Sequence, residues 1–119
     1  MIRESTGKLL DSIARVRRFR RTHNGDPLKF RAALLQLRQE LINYRAELKG
    51  ILAIQSNPLN RAVDELISVL SKAESVCDNI ILLTEMNPSS DPEALVTRLT
   101  EEGGLSNVET LLKAYFPKQ

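Results

Sequence analysis

The densest chemistry in the chain is cationic. Arg15, Arg17, Arg18, Arg20 and Arg21 fall within seven residues, and His23 follows them. Cations near a helix C-terminus complement its dipole, but five arginines in one stretch exceed what a dipole asks for. The cluster suits docking on an acidic surface. At about 100° per residue these side chains spread round a helix and do not form one stripe. Nucleic acid is the rival partner. Against it, Phe19 is the one aromatic among the arginines, the net charge is only +2, and no DNA- or RNA-binding motif is present. The expected docking set is therefore Arg15, Arg17, Arg18, Arg20, Arg21 and His23, with Lys29 just beyond, and nucleic acid is not expected as a partner.

A second cationic set, Arg31, Arg38 and Arg45, recurs every seven residues. If the helix carrying it folds back on the next one symmetrically about the turn, Arg38 falls near Glu74 and Arg31 within about a turn of Asp78. This predicts inter-helix salt bridges that fix register, each worth little where exposed. The competing reading is an anion pocket, as in a small helical enzyme that uses buried arginines in the manner of chorismate mutase. Other catalytic options are thin. The single histidine has no serine or cysteine arrangement around it. Cys77, the single cysteine, falls on an apolar seam, so it reads as a small buried hydrophobe; alone, it forms no internal disulfide. Glu74 and Asp78 share a helix face without a Glu-x-x-His motif. Gly103-Gly104 is a helix stop and not a phosphate loop. No metal, cofactor or enzymatic activity is expected.

The elements that must position these residues are helical throughout. Asp26-Pro27, Asn57-Pro58 and Asp91-Pro92 each place a short acceptor before proline, which starts a helix at no cost in hydrogen bonds. Ser106 with Glu109 three residues on reads as a capping box. His23-Asn24-Gly25 is a turn. Between these signals, Phe30, Leu34, Leu37, Leu41, Tyr44, Leu48 and Ile51 alternate steps of four and three, as do Leu59, Val63, Leu66, Leu70, Ala73, Cys77 and Ile80. Leu9, Ile13 and Val16 mark the first helix, and Val108, Leu111, Leu112 and Phe116 the last. Second apolar lines, Leu28, Leu35 and Ile42 on one long helix and Ala62, Val69, Val76 and Leu83 on the other, need covering, and the first helix and the C-terminal segment are available. The expectation is one all-α domain over 1–119. It is an up-down-up-down four-helix bundle with an interrupted C-terminal helix, its helices at about 6–21, 27–54, 58–86, 92–102 and 106–116.

Three stretches resemble the PsbQ family, the extrinsic four-helix subunits of photosystem II. They are Arg45-Ala46-Glu47-Leu48-Lys49-Gly50-Ile51-Leu52, then Asp64-Glu65-Leu66-Ile67-Ser68-Val69-Leu70 continuing to Asp78, and Leu105-Ser106-Asn107-Val108-Glu109-Thr110-Leu111-Leu112-Lys113. Their order and spacing carry the resemblance, which covers about residues 27–116. The chain departs from the family in its broken fourth helix, in a second helix about one turn longer, and in lacking the proline-rich N-terminal tail of the plant members. It is therefore closer to a divergent algal PsbQ-like protein. The resemblance implies a subunit that docks on the lumenal side of photosystem II beside other extrinsic subunits. There it supports the oxygen-evolving complex by helping it retain calcium and chloride, without itself holding manganese.

Bulk properties bound these readings. With 119 residues the chain can bury one core. No apolar run approaches the ~20 residues of a membrane span, and residues 1–7 contain no apolar signal region. A thylakoid lumen location thus requires the chain to be a mature form. Residues 1–61 carry 13 Lys/Arg against 5 Asp/Glu, whereas residues 62–119 carry 4 against 10. This dipolar layout suits docking on an acidic partner or pairing between the halves. A monomer, peripheral to the membrane, is expected in isolation. The alternative to a photosynthetic subunit is a helical adaptor or secretion-chaperone bundle; the arginine-lined enzyme stands third.

Overall fold

The computed structural model describes residues 2–19, 27–54, 59–87 and 92–115. Among them there are five helices and no strand: α1 Ile2–Arg18, α2 Pro27–Ile54, α3 Leu59–Met86, α4 Pro92–Glu101 and α5 Leu105–Tyr115. The two 28-residue helices are each about 42 Å long at 1.5 Å per residue. They set the longest dimension of the molecule, 48 Å.

The alternating seams make the core. Phe30, Leu34, Leu37, Leu41, Tyr44 and Leu48 of α2 meet Val63, Leu66, Leu70, Ala73, Cys77 and Ile80 of α3, all buried. Leu9, Ile13 and Val16 of α1 join the same cluster, as do Leu95, Val96 and Leu99 of α4 and Leu105, Val108 and Leu112 of α5. The side chains of Ile51, Leu59 and Ala62, and the whole of Phe116, lie outside the described residues. So do Asp26, Asn57, Pro58 and Asp91, although Pro27 and Pro92 stand at the first positions of α2 and α4.

Contacts define how the helices run. Ion pairs join Arg31 to Glu85, Arg38 to Asp78 and Arg45 to Glu74, so α3 descends as α2 rises. On the other side of α2, Ser5 bonds Glu47, Thr6 bonds Tyr44, and the rings of Phe19 and Phe30 meet at 5.2 Å. Hence α1 also runs against α2. α5 packs on α3 and α1, and α4 on α3 and α5.

Three expectations are corrected. α1 begins at Ile2, not near Thr6. Thr6 lies inside the helix, its hydroxyl buried 2.8 Å from the Tyr44 hydroxyl, and Ser5 donates to Glu47 at 2.7 Å. At the other terminus the capping box does not form. α5 begins one residue before Ser106, with Val108 N–H donating to the Gly104 carbonyl at 3.0 Å. Ser106 and Glu109 turn instead to Arg17. Finally, the second apolar line of α2 is not covered: Leu28 is 73% and Leu35 41% exposed. The matching line of α3, Val69, Val76 and Leu83, does pack against the core.

Gly103 and Gly104 separate α4 from α5 for two different reasons. Gly104 has φ +69°, a conformation that costs other residues about 1 kcal/mol or more. A side chain on Gly103 would strike the carbonyl oxygen of Leu99. Gly50 inside α2 has open space around it. Gly103→Ala should therefore destabilise the protein by about 1–3 kcal/mol through that overlap, whereas Gly50→Ala should stabilise it by about 0.5–1 kcal/mol. Chemical denaturation of the two variants measures both signs; equal shifts in the same direction would refute the assignment.

Candidate functional site

The arginine cluster is laid out by the rotation of α1. Leu9, Ile13 and Val16 take the inward face, so Arg15 and Arg18 are exposed and Arg17 is half-buried on the flank. The Phe19–Phe30 ring contact closes this end of α1 onto the start of α2, where Lys29 is exposed. Arg20, Arg21 and His23 lie outside the described residues. The cluster is thus not one patch. Arg15 borders a shallow groove between α1 and α2 with Lys8, Asp11, Ser12, Gln36 and Glu40. Arg17 and Arg18 face the opposite way, towards α4 and α5.

On that second side lies an open cleft of about 660 Å³, lined by Ala14, Arg17, Arg18, Glu93, Thr100, Ser106 and Glu109. Arg17 is committed within it. Its guanidinium pairs with Glu109 and donates to Ser106 Oγ at 3.3 Å, while Lys113 approaches Glu109 at 3.9 Å. These contacts tie α1 to the first turns of α5, and Arg17 is not a free docking cation. Sequence reasoning missed the tie because Ser106 and Glu109 fit a local cap equally well. Among the described lining residues, the carboxylates Glu93 and Glu109 match the guanidiniums of Arg17 and Arg18.

Arg31, Arg38 and Arg45 line neither the α1–α2 groove nor the cleft beside α4 and α5. Each is paired across the α2–α3 seam. All four residues expected in salt bridges, Arg31, Arg38, Glu74 and Asp78, are in ion pairs, but the register is one turn further along α3. Arg38 takes Asp78, Glu74 goes to Arg45 at 2.9 Å, and Arg31 reaches Glu85. Symmetry about the turn was the wrong reference, because register follows the packing of the two seams. Arg45–Glu74 is the least exposed of the three, at 27% and 18%. The other two are more than 40% exposed and contribute little each.

Two buried groups could carry proton chemistry and are arranged so as not to. The Cys77 thiol lies on the inner seam and donates to the Leu34 carbonyl at 3.5 Å. Burial, reinforced by the charge of Asp78, pushes its pKa up to about 12. Burial likewise pushes the Tyr44 hydroxyl up to about 12, against the lowering effect of its bond with Thr6. A thiol held in that state is no nucleophile at neutral pH. Among the described residues, no three His, Cys, Asp or Glu side chains are grouped to hold a metal ion, and no helix is long and apolar enough to cross a membrane.

Both raised values bear on stability in alkali. The folded state keeps both protons, while an unfolded chain loses them near pH 9 for the thiol and pH 10 for the phenol. Their contribution is fully present below pH 9 and is lost as the pH rises towards about 12. Denaturant melts from about pH 8 to about pH 11 should show stability falling above pH 9. Cys77→Ala combined with Tyr44→Phe should flatten that fall; an unchanged slope would assign it to other groups.

No protein-family model matches the chain, and comparison with curated proteins and with solved structures finds no match.

Proposed function

We propose that this chain is a non-catalytic docking subunit: an up-down-up-down four-helix bundle, its last helix broken at Gly103-Gly104, that attaches to an acidic protein surface. The observation that carries the reading is the exposure of cations on two sides of the α1–α2 end of the bundle. Arg15 is exposed at the α1–α2 groove and Lys29 at the start of α2, with Arg18 towards α4 and α5. Arg20, Arg21 and His23 follow Arg18 in the sequence. Exposed charges of one sign steer association with a surface of the other. The interior offers no comparable chemistry, because Cys77 and Tyr44 hold their protons and the heptad arginines are paired.

The more specific reading is an extrinsic subunit on the lumenal side of photosystem II. It would sit beside other extrinsic subunits, peripheral to the thylakoid membrane, and help the oxygen-evolving complex retain calcium and chloride. Its support is the resemblance of the three stretches within residues 27–116 to the PsbQ family. In the fold those stretches fall on the end of α2, the middle of α3 and most of α5.

Docking through exposed cations is screened by salt, so high salt should strip the protein from photosynthetic membranes. Rebinding should weaken at least about tenfold in the triple reversal Arg15→Glu, Arg18→Glu, Lys29→Glu, with helical circular dichroism unchanged. Retention through a high-salt wash, or undiminished rebinding of the triple variant, would defeat the electrostatic dock. Capture of a soluble partner in place of photosystem II would favour the adaptor reading.

A further inference from the structure

The uncovered line of α2 is more regular than a few stray leucines. Leu28, Ala32, Leu35, Gln39, Ile42 and Ala46 alternate steps of four and three along its outer side, the spacing of a coiled-coil seam. Leu28 and Leu35 are 73% and 41% exposed; Ala32, Gln39 and Ala46 are exposed and Ile42 half-exposed. Among the described residues, the exposure of Leu35 shows that no helix covers its side of α2. α1 and α3 flank α2, and α4 and α5 pack on α3 and α1.

We propose that this seam binds the same seam of a second copy, antiparallel, about a twofold axis at residue 37. Size is the first argument. The large residues Leu28, Leu35 and Ile42 recur every seventh position, and between them stand Ala32, Gln39 and Ala46. Reversing the seam on itself sets Leu28 against Ala46, Leu35 against Gln39 and Ile42 against Ala32. Every large side chain then meets a smaller or flexible one, and the contact is self-complementary, as a twofold interface must be. A parallel copy would set leucine on leucine and alanine on alanine, leaving gaps at alternate layers.

Charge is the second argument, and it selects the occupant. In this arrangement Arg38 faces the second copy's Arg38, and Arg31 faces its Arg45. Unpaired, such a flank would repel its own image. Each of these arginines is instead neutralised within its chain, by Asp78, Glu85 and Glu74. The other flank carries the amides Gln36 and Asn43, which hydrogen-bond within α2. An acidic partner helix would find these arginines already taken. An anionic lipid surface would meet Glu85 and Asp78 beside the leucines. A second copy meets neither obstacle. Leu82 of α3, 54% exposed, stands between Asp78 and Glu85 at the level of Leu35 and widens the apolar surface there. The seam borders the surface proposed for the acidic docking partner, since Lys29 continues the flank of Gln36 and Asn43 and Arg15 shares a groove with Gln36.

Sedimentation equilibrium of the full chain tests the proposal. The expected result is a reversible monomer–dimer equilibrium, shifted on the order of a hundredfold towards monomer by Leu35→Glu. The variant's helical signal and melting should be unchanged, since Leu35 is outside the core. Asp78→Asn unmasks Arg38 at the axis and should weaken the dimer about tenfold at low salt, with recovery at high salt. Oxidation supplies the register: Gln36→Cys should cross-link to itself across the axis, and Asn43→Cys should not. The proposal is overturned if the wild type stays monomeric to millimolar concentration, if Leu35→Glu leaves a dimer intact, or if Asn43→Cys self-links in preference to Gln36→Cys. Monomers that bind anionic vesicles through Leu35 would overturn it in favour of a lipid surface.

Discussion

The rest of the structure depends on how α2 is rotated. This helix has apolar residues on more than one face, and a helix can turn only one stripe fully inward. Phe30, Leu34, Leu37, Leu41, Tyr44 and Leu48 win that position because they form the longer and bulkier stripe, burying two aromatic rings and four leucines. The heptad arginines then stand at the α3 boundary, where their stems can cover apolar surface while the heads find carboxylates. Their ion pairs add little energy individually. Their value is geometric, because each set of pairings belongs to one register of the two helices: a slip of one turn would exchange partners and bring Arg38 from Asp78 to Glu74. Once α2 is set, α1 must lie on its other flank, and the line from Leu28 to Ala46 must face outward.

Much of this was legible in the residue pattern, for reasons that differ between elements. The alternating seams of α2 and α3 were readable because burial of a stripe leaves a period in the sequence. The break at Gly103-Gly104 was readable because backbone conformation and close approach there exclude side chains. The turn-by-turn register was not readable. A long helical hairpin can slide by one turn and still present leucine to leucine, so only three-dimensional packing separates the alternatives. The start of α1 was also obscured. The apolar period begins only at Leu9, whereas the first turns are held by polar contacts of Ser5 with Glu47 and Thr6 with Tyr44, which leave no period to read.

The basic cluster shows a further limit of composition. Five arginines in seven residues look like one patch, yet α1 distributes the described members to two sides, and Arg17 spends its charge on Glu109 within the same chain. Sequence shows how many charges a segment carries. Fold decides how many remain available to a partner, and here that number is smaller.

The Arg17–Glu109 tie also has a bearing on time. Contacts of α1 with α2 and of α2 with α3 join consecutive helices across short connections, so they can form early. Arg17 and Ser106 are 89 residues apart, and the tie can close only when the two ends of the chain have been brought together. It therefore belongs to the last stage of assembly. Loosening it should shorten the lifetime of the folded molecule while leaving the speed of folding nearly unchanged, a separation that stopped-flow unfolding and refolding of Glu109→Gln would reveal.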